Sequence, residues 1–333
     1  MKTYTVAILG VTGAVGQEML RILEERDFPV GRLVPLASSR SAGSQVTFRG
    51  KSVAVQEVCA EAFAGVDIVL GAAENEIALR WAPAIRAAGA VFVDNSSAFR
   101  MDSDVPLVVP ECNGDDVKLH KGIIANPNCT TAITLTAVQA LNAISPIESM
   151  VVSSYQAASG AGMAGIAELQ AQMAALQQGR EPQIQAFAHQ LAYNLIPQIG
   201  SEQEGGYTSE EMKLHYEGRK ILHLPQLKVT STCVRVPVIR CHSISARITF
   251  RDAISVEQAK QAIAAAPGCK LMDDLEQSLY PMPLVASGQD LVHVGRIRAD
   301  IADPNSLNLW CCGDQLRKGA ATNAIQIAEL LVT

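Results

Sequence analysis

The sequence predicts an α/β protein in two parts: an N-terminal parallel sheet covered by helices, and a second, α+β part built on a mixed sheet. Up to about residue 130, short β-branched apolar runs alternate with amphipathic stretches of helical period, which is typical of parallel sheets. A glycine-rich turn joins the first such run to the first such stretch. From about residue 149, longer strands with alternating residues predominate, which indicates a mixed sheet with helices on one face.

Composition excludes several classes of protein. A chain of 333 residues is long enough for two domains, and 18% charged with 48% hydrophobic residues is ordinary for a globular enzyme. The 27 Lys and Arg form no run and the formal net charge is −6, so we expect no nucleic-acid partner. With no signal peptide and no apolar run near the roughly 20 residues that span a bilayer, we expect a cytoplasmic protein without a membrane partner. The eight cysteines show no zinc-site or disulfide spacing, so we expect no metal.

The first strand, about residues 5–9, runs into the segment GVTGAVG (10–16) and then into an amphipathic helix over 14–25. This order is typical of a Rossmann-like dinucleotide site, where glycines let the backbone approach a pyrophosphate held by N–H groups at the helix start. The G-x-x-G-x-x-G spacing departs from the commonest fingerprint, but its position between first strand and first helix supports the interpretation.

The loop after the second strand (32–37) favours NADP over NAD. An NAD enzyme usually carries an acidic residue here for the ribose 2′-hydroxyl. No Asp or Glu lies between Asp27 and Glu57, and the loop SSRSAG (38–43) instead offers hydroxyls and Arg40, which can hold a 2′-phosphate. A solvated polar loop is the alternative.

Alternation continues with strands at 67–71, 90–94 and 123–125 and a helix at 75–88. Because ligands of such sheets bind at the carboxyl ends of the strands, Arg100 in the segment NSSAFR (95–100) is a candidate anion-binding residue. A surface arginine is the alternative.

Cys129 lies in the segment NPNCTT (126–131), between the strand at 123–125 and an Ala-rich stretch (132–141) suited to a helix. Pro127 ends the strand because it denies the preceding residue the helical region. The thiol then sits near the positive end of a helix, which favours thiolate and predicts a nucleophile. A buried structural cysteine is the alternative.

The second part carries predicted strands at 228–236, 243–250, 292–301 and 307–312 and predicted helices at 163–178, 210–222 and 255–265. The polar tract 179–206 is compatible with an arm around a partner subunit or with a plain long loop. The last helix has an apolar stripe that predicts packing on the first domain. We therefore expect a cofactor domain of residues 1–127 completed by 313–333, and a second domain of residues 128–312.

Three features of the second part are candidates for a site. A strand runs into a small-residue turn over 153–162, Glu210 and Lys213 share a helix face, and Arg235 and His242 flank Pro237, which should interrupt regular pairing. Each is more often structural when taken alone, and their joint appearance favours a site.

Taken together, these segments resemble the aspartate-semialdehyde dehydrogenases across essentially the whole chain. The resemblance rests on eight motifs in the family's order: GVTGAVG, SSRSAG, NSSAFR, NPNCTT, SYQAASGAG, EEMK, RVPVIRCHS and DQLRKGAATNA. One glycine- or serine-rich motif could arise from composition, but eight in sequence could not.

The resemblance implies a role for each matching residue. It implies Cys129 as the acyl-enzyme nucleophile, His242 as the acid/base and Gln156 as the residue that orients the intermediate. It implies Arg235 at the substrate carboxylate, Glu210 at its amino group, and Arg100 and Lys213 at phosphate. The implied cofactor contacts are Gly10, Val11, Thr12, Gly13, Ala14, Val15, Ser38, Ser39, Arg40, Ser159, Gly160 and Gln315.

The implied reaction converts 4-phospho-L-aspartate to L-aspartate 4-semialdehyde and phosphate with NADPH, through a thioester, in a homodimer of the lysine, threonine, methionine and diaminopimelate pathways. A histidine with a pKa near neutrality suits the proton transfers. Two alternatives stay open: a related NADP-dependent acyl-phosphate reductase, such as one acting on N-acetylglutamyl phosphate, and a catalytically silent dinucleotide-binding protein.

Overall fold

A computed structural model describes residues 2–332 of the chain. The chain divides into two compact units. The first contains the described residues up to Asn128 and those from Ala320 onwards, and the second contains Cys129–Gly319. Between residues 2 and 332, no helix combines the length and apolar content that crossing a bilayer requires.

The strands are β1 Tyr4–Leu9, β2 Val30–Ala37, β3 Gln45–Phe48, β4 Lys51–Ala54, β5 Gln56–Glu57, β6 Ile68–Gly71, β7 Val91–Asp94, β8 Ile123–Ala125, β9 Ile147–Gln156, β10 Lys228–Arg235, β11 His242–Phe250, β12 Cys269–Leu271, β13 Val292–Ala299 and β14 Ser306–Gly313. The α-helices are α1 Ala14–Glu25, α2 Asn75–Ala87, α3 Pro110–Asn113, α4 Cys129–Asn142, α5 Gly162–Gln177, α6 Ser209–Ile221, α7 Val256–Ala265, α8 Pro283–Ala286 and α9 Thr322–Val332.

The first unit is built on a six-stranded sheet in the order β5-β2-β1-β6-β7-β8, in which each strand is parallel to its neighbours. The predicted parallel sheet is therefore confirmed. Its strands read as continuous apolar runs because both faces are covered. The sequence analysis did not predict the β3–β4 hairpin or the edge strand β5. β4 and β5 consist mostly of exposed residues, and β3 is only four residues long, with Val46 and Phe48 buried between exposed residues.

The C-terminal helix completes the core of the first unit. Its residues Ile325, Ile327 and Ala328 are fully buried in one cluster with Val6 of β1 and Met19 of α1. In the same unit, Nε and Nη2 of Arg26 each donate to the Glu329 carboxylate over 2.7 Å. The prediction that the last helix packs on the first domain is confirmed.

The second unit contains a mixed sheet in the order β10-β9-β11-β14-β13-β12, as predicted. β9 and β10 are parallel and end together, with Gln156 opposite Arg235. β11 runs antiparallel to β9 and starts at His242, beside this same end. Strand register therefore gathers Gln156, Arg235 and His242 at one edge of the sheet.

Candidate active site

Cys129 is the first residue of α4, as the proline and the following Ala-rich stretch predict. Its half-buried side chain places Sγ 3.3 Å from Nε2 of His242. The backbone of Gly319 also lies against Cys129, because a Cβ built on Gly319 would lie 2.9 Å from the Cys129 Cβ. The thiol is thus within hydrogen-bond reach of an imidazole, and it is held against a backbone position, Gly319, that has no room for a side chain. This is the arrangement expected of a nucleophile and its partner.

His242 is fully buried, and both ring nitrogens are engaged. The N–H of Ala157 donates to Nδ1 over 3.1 Å, so the neutral ring carries its proton on Nε2, the nitrogen that faces Cys129. Burial, and then the nearby positive charge of Arg235, lowers the pKa of His242 to about 3. The expectation of a pKa near neutrality is therefore wrong, because the protonated ring would be buried beside a guanidinium and would aim a second N–H at Ala157.

The backbone just before His242 is unusual. Cys241 adopts φ +77°, a left-handed conformation that side chains rarely take, and its N–H donates to Oε1 of Gln315 over 2.8 Å. The Gln315 amide nitrogen in turn donates to Oγ of Ser159. Both residues are almost fully buried, so the Gln315 amide ties the turn at Ser159 to the entry of β11.

Arg235, at the end of β10, is buried to 7% exposure, and its Nη1 donates to the Ala157 carbonyl over 2.7 Å. Burial lowers the pKa of Arg235, while the neighbouring Cys129 and Glu210 oppose this shift. Gly160 makes room for the guanidinium, since a Cβ there would lie 2.6 Å from Nη1. The rest of the fork remains suited to a bidentate carboxylate.

The Glu210 carboxylate joins two further predicted residues. It accepts from the Gln156 amide over 3.2 Å and from the Lys213 ammonium over 2.7 Å, and Gln156 also donates to Ser154. Glu210 lies in the first turn of α6. A capping box between Thr208 and Glu211 stabilises the start of this helix. The shared helix face predicted for Glu210 and Lys213 is confirmed.

In the first unit, Arg100 is buried to 7% exposure. Its Nε donates to the Asn126 carbonyl over 2.9 Å and its Nη2 donates to the Asn95 carbonyl over 2.7 Å. The side-chain amide of Asn126 donates a hydrogen bond to the Asn95 side chain and accepts one from the Asn323 side chain. Arg100 therefore braces the backbone immediately before the NPNCTT cysteine, and is not a surface arginine.

The glycine turn has the shape of a dinucleotide cradle. Gly10 adopts φ +91°, and a Cβ on it would lie 2.6 Å from the Ala72 carbonyl oxygen; one on Gly16 would lie 2.4 Å from the Gly10 carbonyl oxygen. α1 starts at Ala14 after Gly13, and its first turn has neither an acidic residue nor a side-chain cap within residues 2–332. The N–H groups of that turn suit a pyrophosphate.

The other cofactor residues predicted in the first unit lie around this turn and at the end of β2. Val11 is buried, and its N–H donates to the Leu36 carbonyl. Thr12 is exposed, and Val15 of α1 is half-buried. Ser38, Ser39 and Arg40 are all exposed beyond β2. An exposed arginine next to two hydroxyls, with no carboxylate in the loop, fits a 2′-phosphate.

Three residues of the site were not predicted as members. Ala157 and Gly319 act through backbone and lack of side chain, and Phe187 packs its ring 5.9 Å from Cζ of Arg235. Ala157 and Gly319 lie inside two of the motifs that carry the resemblance, SYQAASGAG and DQLRKGAATNA, whereas Phe187 lies outside them.

Two family models match the chain. Residues 5–120 match "Semialdehyde dehydrogenase, NAD binding domain" and residues 138–318 match "Semialdehyde dehydrogenase, dimerisation domain". Aspartate-semialdehyde dehydrogenase of Synechocystis sp. is 51% identical over 98% of this chain and 97% of its own length. That of Bacillus subtilis is 46% identical over 98% of this chain and 96% of its own length.

Solved structures agree with these matches. The structure of aspartate semialdehyde dehydrogenase II from Vibrio cholerae, complexed with ASA, has a TM-score of 0.97 at 44% identity and covers 100% of this chain and 99% of its own. The structure of aspartate semialdehyde dehydrogenase with NADP from Candida albicans has a TM-score of 0.76 at 25% identity and covers 99% of each chain.

Proposed function

The chain belongs to the aspartate-semialdehyde dehydrogenase family, and on this premise we propose how its residues carry out the reaction. The enzyme converts 4-phospho-L-aspartate to L-aspartate 4-semialdehyde with NADPH and releases phosphate. The observation that carries the proposal is the 3.3 Å contact between Cys129 Sγ and His242 Nε2 at a site that also contains a buried arginine.

Cys129 is the proposed nucleophile. Its thiolate attacks the carbonyl carbon of the acyl phosphate, the C–O bond to phosphate breaks, and a thioester forms on Sγ. The Nε2–H of neutral His242 donates to the thiolate before attack. In this role the imidazole is a hydrogen-bond donor, because its Nδ1 is occupied by the Ala157 N–H.

The substrate is held by its two backbone substituents. We assign its α-carboxylate to the Arg235 fork and its ammonium to Glu210, while Gln156 orients the intermediate. Support comes from the 7% and 9% exposures of Arg235 and Glu210, since charged groups so deeply buried strongly favour partners of opposite charge. A free ammonium, rather than an N-acyl group, fits the carboxylate of Glu210.

Phosphate is assigned to Arg100 and Lys213. Both are cations fixed by neighbouring oxygens: carbonyls in the case of Arg100 and the Glu210 carboxylate in the case of Lys213. Guanidinium and ammonium groups each carry several N–H donors, which suits them to a departing phosphate. The phosphate takes up the proton that balances the reaction.

NADPH, when bound, supplies the hydride that reduces the thioester carbonyl. For binding it, we assign the pyrophosphate to the turn from Gly10 through Val15 and the 2′-phosphate to Ser38, Ser39 and Arg40. Ser159, Gly160 and Gln315 are assigned to the nicotinamide end. The thiohemiacetal then left on Cys129 collapses by C–S cleavage, and His242 Nε2–H stabilises the departing thiolate.

The proposed functional domains also divide near residue 128. The first binds most of the cofactor, and the second carries out the chemistry and forms the dimer. Two copies form a homodimer through the second unit, supported by the dimerisation-domain match over residues 138–318. The proposed location is the cytoplasm, and the proposed pathways are lysine, threonine, methionine and diaminopimelate synthesis.

The reverse reaction gives the simplest test. With L-aspartate 4-semialdehyde and NADP, absorbance of NADPH should rise in steady state only when phosphate is added. An equal rate without phosphate would make the protein an ordinary aldehyde dehydrogenase. A strong preference for an N-acylated glutamate semialdehyde would point to the related acyl-phosphate reductase, and no reduction with either substrate would point to a silent dinucleotide-binding protein.

A further inference from the structure

A phenylalanine in the irregular tract after α5 covers the guanidinium of Arg235. The centroid of the Phe187 ring lies 5.9 Å from Cζ of Arg235. The ring also lies against α5, where a Cβ on Gly165 would be 3.0 Å from the ring Cζ. An aromatic face at this distance attracts a guanidinium and limits its rotation. Phe187 therefore sets which edge of the Arg235 fork is open to a carboxylate.

The tract that carries Phe187 has no regular structure of its own. Between Gln178 and Gln203 the described chain forms no helix and no strand. Its backbone pairs with the sheet at an isolated antiparallel bridge between Ile196 and Arg235, which leaves the segment around the ring outside any ladder or helical turn. Order in such a long segment has to come from other contacts. In this chain much of it comes from two polar side chains of α5 that are buried under the tract.

Glu168 and Gln172, one helical turn apart on α5, hold the tract from both sides of Phe187. The Glu168 carboxylate accepts the N–H groups of Gln185 and Ala186, just before the ring. The Gln172 oxygen accepts the N–H groups of Leu191 and Ala192 over 2.8 and 3.0 Å, just after it.

The same two side chains also bond to each other and to a further carbonyl of the tract. The Gln172 amide nitrogen donates to Glu168 over 2.9 Å and to the Gln183 carbonyl over 3.2 Å. Glu168 is 9% exposed and Gln172 is fully buried. Polar groups so buried cost free energy unless they are bonded, so these contacts define one position of the tract.

The clamped tract also forms a wall beside Arg235. A cavity of about 280 Å³ lies there, lined by Ala161, Phe187, His189, Ile196, Gly200 and Arg235 among others. Any movement of the tract would change both this cavity and the cover on the guanidinium.

We propose that Phe187 is a positioning residue for the substrate-binding arginine, and that Glu168 and Gln172 form the clamp that holds it. The inference rests on the proposed role of Arg235 in binding the substrate carboxylate. It adds that affinity for the substrate depends on a tract outside the eight motifs that carry the proposed chemistry.

Steady-state kinetics of Phe187→Leu test the positioning role. KM for L-aspartate 4-semialdehyde should rise about three- to thirtyfold, the effect of losing a desolvated cation–π contact, with kcat changed by less than about twofold. The matched control is Ile184→Ala, since Ile184 lies in the same tract but is 49% exposed; its KM should not change. In an Arg235→Lys background, Phe187→Leu should add little. An equal KM rise in both backgrounds, or a KM equal to that of Ile184→Ala, would overturn the role.

Amide hydrogen exchange tests the clamp without substrate. In Glu168→Gln and Gln172→Leu, the amides of residues 185–192 should exchange faster than in the unaltered chain, while those of β11 should not. Unchanged exchange in the tract would overturn the clamp. This readout does not depend on activity, so it decides the clamp even if the unaltered protein fails to reduce NADP in the phosphate-dependent assay, a result that would instead overturn the proposed function.

Discussion

The N–H of Ala157 donates to Nδ1 of His242 over 3.1 Å, and this contact determines what the imidazole can do. Protonating the ring would place an N–H on Nδ1, opposite the Ala157 N–H, in a fully buried position next to Arg235. His242 is therefore neutral, with its proton on the nitrogen that faces Cys129. The histidine is built to donate to a sulfur or oxyanion rather than to form an imidazolium–thiolate pair.

Stability should depend on pH through His242. Its pKa falls from 6.5 to about 3 on folding, so between these values the unfolded chain binds more protons and stability falls as pH falls. The slope contributed is at most about 1.4 kcal/mol per pH unit. Urea unfolding between pH 6.5 and 4 should show a steeper loss for the unaltered chain than for His242→Asn. Identical pH slopes would contradict a buried neutral imidazole.

Gly319→Ala should impair chemistry more than binding. The new Cβ would lie 2.9 Å from Cys129 Cβ, so the nucleophile must shift, and a misplacement of this kind can lower kcat by about tenfold to a hundredfold. Gly218→Ala in α6 is the matched control, because a Cβ there meets only Leu227 and Leu214 side-chain atoms at 3.6 and 3.8 Å. Equal kcat values for the two variants would remove Gly319 from the site.

Arg235→Lys should chiefly weaken substrate binding. A lysine ammonium lacks the planar fork of the guanidinium. It cannot donate to the Ala157 carbonyl, as Arg235 does over 2.7 Å, and at the same time bind a carboxylate with two parallel hydrogen bonds. KM for L-aspartate 4-semialdehyde should rise about tenfold or more, while KM for NADP stays the same. Unchanged KM for the semialdehyde would place the carboxylate elsewhere.

Arg40→Ala should separate the two nicotinamide cofactors. The exposed guanidinium beside Ser38 and Ser39 is assigned to the 2′-phosphate, which NAD lacks. Affinity for NADP, measured by fluorescence titration, should fall about tenfold or more, and affinity for NAD should not change. A loss of the same size for both cofactors would move Arg40 to another role.

The local geometry of the residues proposed to carry chemistry could be predicted from short motifs. Cys129 follows a proline that ends a strand, and Glu210 and Lys213 are spaced to share a helix face; both are local rules that the structure obeys. The parallel sheet and the C-terminal helix of the first unit follow from apolar periodicity in the same way.

The features that could not be predicted from the sequence depend on contacts between distant segments. The pKa of His242 reflects burial and Arg235, and its tautomer reflects the backbone N–H of Ala157, the residue after β9. Gly319 belongs to the candidate site because Cys129 packs against it. Phe187 belongs to it because side chains of α5 hold the tract that carries the ring. No spacing rule reports such contacts, since they arise only when the strands and helices of the second unit assemble.

The acyl-enzyme itself gives the most direct test of the account. The protein is mixed with L-aspartate 4-semialdehyde and NADP without phosphate, quenched in acid and examined by peptide mass spectrometry. We expect an aspartyl adduct on the peptide containing Cys129, lost when phosphate is added before the quench and absent in Cys129→Ser, which should still bind NADP. NADP reduction without any adduct on Cys129, or phosphate-dependent activity retained in Cys129→Ser, would contradict a thioester at this sulfur.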